Sequence, residues 1–333
     1  MSSTANTATI DGVPLSPPAR LKRSCRSLYE ALPLALAWCR RGRPRHVFRF
    51  DGGIGDEFLC TAVTRELKRR HRGSIWMLTD YPELFRHNPD VALTARKNCR
   101  GVRRFLETFG ISTHKLAYAP HVNGRDVQPQ RHVITSLCQS LDLDGIVTKR
   151  PYLFLRPDEI AAGRIAPRQI AVQSSGLAAK YAALTKEWYP DRLQKVVNHF
   201  RSAYTFVQVG SGRDPLLDGV VDMRGRTSIR QTAAILHQSI VFLGLAGFLQ
   251  HLARSVECRS VIIYGGRELP TQTGYTCNEN VTHQPACSPC WIYERCEHDI
   301  MCMDAVTTDM VTTATERQID RYGSPLPEDT ECL

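Results

Sequence analysis

Hydrophobic and polar residues follow two different periods in the first half of the chain, and their order predicts a strand–helix–strand unit. Residues 46–50 (HVFRF) alternate as in a half-buried strand, and a glycine-rich turn follows at residues 51–55. From residue 56 to about residue 70, apolar positions recur with helical spacing. Residues 74–79 (SIWMLT) predict the next strand, which gives a βαβ unit with a right-handed crossover.

The same order of patterns starts again in the second half. The predicted elements there are strands at residues 169–174, 204–209, 239–243 and 260–264, and helices at residues 190–202, 228–237 (capped by Thr227) and 249–256. The two halves are separated by a break near residues 150–168. We therefore predict the α/β class, with two Rossmann-like, doubly wound domains that face each other across a cleft.

The two ends of the chain differ from these halves. Residues 1–22 are rich in Ser, Thr, Pro and Ala, which is typical of a flexible lead-in, and residues 27–39 predict a short helix. We favour packing of this helix on the body of the protein, and binding to a membrane surface remains open. The predicted division is an extension at 1–45, domains at 46–155 and 156–315, and a tail at 316–333.

Composition indicates a globular protein, with 42% hydrophobic and 23% charged residues among 333. No stretch approaches the roughly 20 apolar residues that span a bilayer. The first twenty residues lack the order of a secretory signal, and twelve cysteines then favour a reducing compartment. We expect a cytoplasmic protein, and peripheral contact with the inner membrane face remains open.

The net charge of +10 comes largely from two basic clusters, at residues 40–45 and 68–72. Neither cluster carries interleaved aromatic residues for base stacking, so no nucleic-acid partner is expected. Phosphate-bearing substrates and anionic lipid are the remaining partners that this charge would attract.

The first motif is the turn at residues 51–58 (DGGIGDEF), where a strand passes into a helix. Glycines at such a turn let the backbone approach a ligand closely and aim helix N–H groups at it. Asp56 therefore has two interpretations, a general base that faces a cleft or a simple N-cap. The spacing is not G-x-G-x-x-G, which excludes the dinucleotide fingerprint.

Several segments, taken in order, resemble the family 9 glycosyltransferases, the bacterial heptosyltransferases of lipopolysaccharide assembly. The segments that carry the resemblance are GIGD at 53–56, HNPDV at 87–91, KEWYP at 186–190, VDMRGRTS at 221–228, and FLG with HLA between 242 and 253. The resemblance runs from about residue 46 to residue 312. It implies a GT-B fold, with the acceptor on the first domain and a nucleotide-sugar on the second, and an inverting, metal-independent transfer.

The resemblance also assigns roles to single residues. It makes Asp56 the catalytic base, with Gly52, Gly53 and Gly55 as the acceptor-side loop. It places the donor at these residues: Ser174, Ser175, Gly176, Lys186, Gly210, Asp214, Gly247 and His251. Plainer interpretations stay open, because Lys186 can be a solvated lysine, Asp214 a surface residue and His251 a structural histidine.

One departure affects the expected substrate, because Ala246 stands where the family has an acidic residue. Either the sugar differs from ADP-heptose or the pocket has another use. We predict transfer of heptose or another sugar from a nucleotide-sugar to a glycan, lipid-linked or protein acceptor. The alternatives are an inactive nucleotide- or carbohydrate-binding scaffold and, less favoured, a metal-bearing nucleic-acid binder.

Four cysteines form the last motif, Cys287, Cys290, Cys296 and Cys302. Four thiolates within sixteen residues can surround one tetrahedral metal, although the second pair lacks the C-x-x-C spacing. Four reduced thiols are the alternative. Some relatives, the autotransporter heptosyltransferases, carry an iron-bound cysteine finger. We therefore predict a structural zinc or iron here and no cofactor required for catalysis.

Overall fold

The computed structural model describes residues 9–10, 13–14, 17–71, 73–118, 121–122, 125–292 and 296–333. The chain divides into two compact units. The first comprises Met1–Arg49, Arg72–Pro82 and Val91–Lys115, and the second comprises Phe50–His71, Glu83–Asp90 and Leu116–Leu333.

The described residues form mostly short strands and helices along the chain. The strands are β1 (Thr9–Ile10), β2 (Val13–Pro14), β3 (His46–Phe50), β4 (Ile75–Leu78), β5 (Leu93–Ala95), β6 (His114–Leu116), β7 (His121–Val122), β8 (Arg125–Asp126), β9 (Ile146–Thr148), β10 (Gln169–Val172), β11 (Thr205–Gln208), β12 (Val221–Asp222), β13 (Phe242–Leu245), β14 (Ser260–Tyr264), β15 (Glu279–Thr282) and β16 (Thr330–Cys332). The α-helices are α1 (Pro17–Arg41), α2 (Ile54–Arg70), α3 (Arg100–Thr108), α4 (Val133–Gln139), α5 (Pro157–Ala162), α6 (Pro190–Phe200), α7 (Ile229–His237), α8 (Phe248–Ser255), α9 (Pro270–Thr273), α10 (Met301–Asp304) and α11 (Thr308–Asp320).

The first unit is built on a four-stranded sheet in the order β5-β4-β3-β6. β3 pairs with β4 and β4 with β5 in parallel, as the βαβ pattern predicts. One hydrophobic cluster joins this sheet to α1 and α3, and its buried members are Leu34, Val47, Trp76, Leu78, Val102, Phe105, Leu106 and Ile111.

The first long helix is longer than the sequence pattern predicts. α1 begins at Pro17 and ends at Arg41, whereas the pattern predicts a flexible lead-in to residue 22 and a helix at 27–39. Pro17 and Pro18 occupy the first turn, where the missing proline N–H is not needed by the helix. Residues 1–8, 11–12 and 15–16 of the predicted lead-in lie outside the described residues.

The second unit contains a six-stranded sheet in the order β12-β11-β10-β13-β14-β15, with every pair parallel. Numbered from β10, this order is 3-2-1-4-5-6, the order of the Rossmann fold. The direction of winding reverses between β10 and β13. Open α/β sheets bind ligands beyond the carboxyl ends of the strands at such a point.

Two details near α7 differ from the predictions. Ser228, not Thr227, caps the helix: its hydroxyl accepts the N–H of Gln231, and the Gln231 side chain accepts the N–H of Ser228. Thr227 bonds to the Thr232 hydroxyl instead. The strand predicted at 239–243 is β13, which begins at Phe242, because Ser239 still belongs to the helix end and donates its hydroxyl to the Ile235 carbonyl.

Among the described residues, none of the helices combines the length and the apolar character that crossing a membrane requires.

Candidate active site

Asp56 lies in the first turn of α2, and both of its carboxylate oxygens accept hydrogen bonds. Gly53 is the N-cap residue, and its backbone N–H donates to Asp56 Oδ2 at 2.7 Å. The Tyr118 hydroxyl donates to Oδ1 at 2.8 Å. The side chain thus caps the helix from its third position while it remains partly accessible to solvent. Capping and a role as base are compatible here, because a carboxylate has lone pairs beyond these two bonds.

Glycine at position 52 is required by the close approach of Asp56. A β-carbon built on Gly52 would lie 2.4 Å from Asp56 Oδ2 and 2.6 Å from the Phe50 ring. A β-carbon on Gly53 would lie 3.5 Å from the same oxygen, which is an ordinary contact. The turn therefore fixes the carboxylate by shape as well as by hydrogen bonds.

The start of α2 lies against the start of α8. A β-carbon on Gly55 would lie 3.7 Å from the Phe248 Cα atom and 4.0 Å from His251 Cδ2. The rings of Phe58 and Phe248 pack edge to face at 5.8 Å between centroids. Gly247 precedes α8 with open space beside it, and the neighbouring Ala246 is buried.

His251 is a buried, neutral histidine. Its Nδ1 atom lies 2.7 Å from the Tyr275 hydroxyl. Burial, together with the smaller effect of the Lys186 charge, lowers the pKa of His251 to about 3. The charge of Lys186 thus acts on His251, and the resemblance assigns both residues to the donor.

Lys186 is held by an acid that the sequence did not single out. Its Nζ atom lies 2.9 Å from Glu268 Oε1, and Glu268 is almost fully buried in the segment after β14. Two residues farther along, the buried Trp188 donates its indole N–H to the Val306 carbonyl. Lys186 is thus an anchored cation and not a freely solvated lysine.

The small-residue loop after β10 is engaged within the protein. Ser174 donates its hydroxyl to the Pro215 carbonyl at 2.6 Å and accepts from Gln208 at 2.8 Å. The Gly176 N–H donates to Glu187 Oε2 at 2.9 Å, and Ser175 also hydrogen-bonds to Glu187. Burial raises the pKa of Glu187. A carboxylate of this chain therefore occupies the N–H that the resemblance assigns to a phosphate.

Asp214 and Gly210 form one tight turn after β11. Gly210 has φ of +121°, and a β-carbon there would lie 2.4 Å from Asp214 Oδ2. The same oxygen accepts the Ser211 N–H at 2.9 Å, and burial raises the pKa of Asp214. Asp214 is buried and shapes this turn, so its assignment to the donor stays a prediction.

The four cysteines differ in burial. Cys302 is buried, Cys290 and Cys296 are partly buried and Cys287 is exposed. Burial raises the pKa of Cys302, while a hydrogen bond from the Gly266 backbone to its sulfur lowers it. Across the part of the chain that the structure describes, no three His, Cys, Asp or Glu side chains converge so as to hold a metal ion. As placed, the cysteines do not fit a metal cage, and zinc or iron here stays a prediction from spacing.

Sequence reasoning missed four residues that shape the site: Tyr118, Glu187, Glu268 and Tyr275. Glu187 had a usable signal, because it adjoins Lys186 in the KEWYP segment. The other three lie in loops with no distinguishing pattern, and they reach their partners only through the fold.

Comparison with known proteins supports the fold. No protein-family model matches the sequence, and no curated protein sequence is significantly similar. Similar solved structures include the iron-containing dodecameric glycosyltransferase TibC from enterotoxigenic Escherichia coli H10407, at 17% identity over 83% of this chain and 76% of that chain, with a TM-score of 0.64. TibC has also been solved in complex with ADP-D-β-D-heptose.

Two further structures match almost their full length. The family 9 glycosyltransferase of Veillonella parvula DSM 2008 is 15% identical over 84% of this chain and 97% of that chain, with a TM-score of 0.63. The E. coli ADP-heptose lipopolysaccharide heptosyltransferase II is 12% identical over 83% and 99%, with a TM-score of 0.64. The predicted α/β fold of the GT-B, family 9 type is confirmed.

Proposed function

We propose that this protein is an inverting glycosyltransferase that moves a sugar from a nucleotide-sugar donor to a hydroxyl group of a glycan, lipid-linked or protein acceptor. One observation carries the proposal: the accessible carboxylate of Asp56 is oriented at the start of α2, where that helix meets the start of α8 with His251. The charge of Lys186 helps to lower the pKa of that histidine. A base and a cation for a leaving diphosphate thus belong to one unit with the family 9 fold.

The proposed chemistry is a single displacement. The acceptor oxygen attacks the anomeric carbon and its proton passes to Asp56, while the bond between that carbon and the phosphate oxygen breaks. The electron pair leaves with the nucleoside diphosphate, whose charge Lys186 stabilises. Glu268 holds the lysine in place, so little reorganisation is needed when the charge develops.

Glu187 has a further role in this proposal. Its carboxylate accepts the Gly176 N–H that a donor phosphate would otherwise bind. Donor binding therefore exchanges one anion for another at this N–H group. The bond to Glu187 keeps the Gly176 N–H group paired whenever no nucleotide-sugar is bound.

The direct experiment uses ADP-heptose as the donor probe and measures release of ADP. We expect Asp56→Asn to lower the rate by about 100-fold or more, since general-base catalysis contributes 10²–10⁴. Asp309→Asn is the matched control, because Asp309 is also acidic and lies in the first turn of a helix. Equal rates for Asp56→Asn and the native protein would remove the assigned base.

A second candidate function is a nucleotide-binding scaffold without transfer activity. It is favoured by Ala246, which is buried where the family has an acid. Thermal-shift measurements across nucleoside diphosphates and nucleotide-sugars distinguish the two functions. Stabilisation by nucleotide without consumption of any sugar donor would favour the scaffold, and the same screen would show whether heptose or another sugar is the donor.

We propose that the reaction takes place in the cytoplasm. Zinc or iron at the four cysteines would have only a structural role. TibC is described as iron-containing, whereas the proposed transfer routes no step through a metal. Elemental analysis of the purified protein, beside a Cys290→Ser and Cys302→Ser double variant, tests whether zinc or iron binds at the cysteines.

A further inference from the structure

The outward face of α1 carries large apolar side chains that the described residues leave exposed. Leu28, Leu32 and Leu36 are 72%, 52% and 46% exposed, and Tyr29 is 78% exposed. The leucines recur every four residues, so they share one face of the helix, and Tyr29 adjoins them. The exposed row covers three successive turns.

The opposite face of α1 is covered. Leu34 is fully buried, and Ala31, Ala37 and Trp38 pack around it in the core of the first unit. The two interpretations of this helix, packing on the body and binding outside it, therefore concern opposite faces of one helix. Single exposed leucines are common on monomeric proteins, but a continuous apolar row indicates an interaction surface.

Charge indicates what the surface binds. The 25 residues of α1 include six Lys or Arg and one acid, Glu30, which gives 6 − 1 = +5. Glu30 is neutralised within the protein, since Oε2 accepts the Gly101 N–H at 2.9 Å and Oε1 accepts from the exposed Arg26 at 3.1 Å. Arg26 and Arg40 are exposed on the helix. The surface beside the apolar row is therefore basic.

The apolar row and the basic charge of α1 together favour an anionic membrane, rather than a second copy of the chain, as the partner of this surface. Two copies that met through α1 would bring two helices of +5 together, and like charges repel. Anionic lipid attracts the arginines while its acyl region accepts leucines, as for helices that lie in the plane of the interface. Tyrosine is well suited to the headgroup level of such an interface.

We propose that the outward face of α1 docks the protein on an anionic membrane surface. Leu28, Leu32 and Leu36 enter the boundary of the acyl layer, and Arg26 and Arg40 contact lipid phosphates. The helix lies along the surface and does not cross the bilayer. The proposal is independent of the proposed transfer reaction, because it depends on α1 alone.

The test is flotation of the full chain with vesicles of phosphatidylcholine alone or mixed with phosphatidylglycerol. We expect binding to the mixed vesicles, weaker binding to phosphatidylcholine, and a loss of binding as salt concentration rises. Leu28→Ser with Leu32→Ser should lower binding by about tenfold or more. The matched control is Ile146→Ser with Leu216→Ser, two residues of the second unit that are 65% and 55% exposed.

Three outcomes would overturn the proposal. The native protein does not float with phosphatidylglycerol vesicles, or the α1 variant floats as well as the control variant. In the third outcome, light scattering shows an oligomer that the α1 variant converts to monomers, while neither protein binds vesicles. That result would assign the surface to a second copy. Thermal unfolding of each variant confirms that exposed-site changes leave the fold intact.

Discussion

The Tyr118 hydroxyl donates to Asp56 Oδ1 at 2.8 Å, while the other oxygen of the same carboxylate accepts the Gly53 N–H at 2.7 Å. These two bonds restrain the carboxylate in one orientation. A base must be aligned with the proton that it removes, so an oriented carboxylate is more effective than a rotating one.

Tyr118→Phe removes one of these bonds without removing the proposed base. We expect kcat to fall about tenfold or more, which corresponds to one hydrogen bond to a charged group. The bond favours the ionised carboxylate, so its loss should also move the acidic limb of the pH–rate profile to higher pH. Tyr322→Phe, at an exposed position, is the control. An unchanged profile would contradict a positioning role for Tyr118.

Adding one methyl group at position 52 should displace the Asp56 carboxylate. The β-carbon of Gly52→Ala would lie 2.4 Å from Asp56 Oδ2, so the side chain must move and the cap is weakened. We expect ADP release to fall by at least tenfold and the free energy of unfolding to fall by about 1 kcal/mol. Gly53→Ala is the control, because its β-carbon lies 3.5 Å from that oxygen. Equal activity of the two variants would contradict this geometry.

Replacing Lys186 separates catalysis from stability. Lys186→Met leaves the carboxylate of Glu268 buried without its cation. We therefore expect the free energy of unfolding to fall by about 2 kcal/mol. Adding Glu268→Gln removes that buried charge and should restore most of the stability. Activity should stay low in both variants, because the cation for the leaving diphosphate is absent. Recovery of turnover in the double variant would exclude Lys186 from the reaction.

Glu187→Gln tests whether a carboxylate competes with the donor. Glutamine can still accept the Gly176 N–H, but it carries no charge beside the incoming diphosphate. We expect ADP to bind about fivefold more tightly to the variant, as measured by calorimetry. The pKa of Glu187 is raised by burial, so the native protein should approach the variant's affinity as pH falls. Identical affinities at pH 8 would contradict the competition.

Local patterns predict the elements of the second unit well. The strand predicted at 260–264 is β14, and the helix predicted from residue 190 begins at Pro190, because periodicity and helix starts are local signals. The first ten residues of α1 gave no such signal, since their composition is polar and proline-rich. The covered face of that helix is stabilised instead by distant residues such as Phe105 and Trp76.

The candidate site likewise combines residues that short sequence segments predict with partners that only the fold brings near. Asp56 and Lys186 lie in short segments that carry the resemblance to the family 9 glycosyltransferases. Their partners are 62 and 82 residues away, at Tyr118 and Glu268. No local pattern relates residues at that separation, because the contact depends on how the strands and helices of the second unit are arranged. The bond from the Gly101 N–H to Glu30 on α1 could not be predicted for the same reason.

Two buried histidines should make the protein unstable in acid. Burial lowers the pKa of His132 and of His251 to about 3, against 6.5 for an unperturbed histidine. Between these values the unfolded chain binds protons that the folded chain does not, so stability falls as pH falls below 6.5. From pH 6.5 to pH 5 we expect a loss of about 2 kcal/mol for each histidine.

Urea unfolding at several pH values measures this loss of stability. Substituting one of the two histidines should remove its half of the pH dependence. His132 Nδ1 accepts the Ile134 N–H at the start of α4, a bond that asparagine can also accept. His132→Asn therefore keeps the helix cap and removes one titrating group, and the slope of stability against pH below 6.5 should fall by about half. The unchanged slope of a His199→Asn control, at an exposed position, would confirm that burial is the cause. If the slope of stability against pH is the same in His132→Asn as in the native protein, this histidine takes up its proton without unfolding.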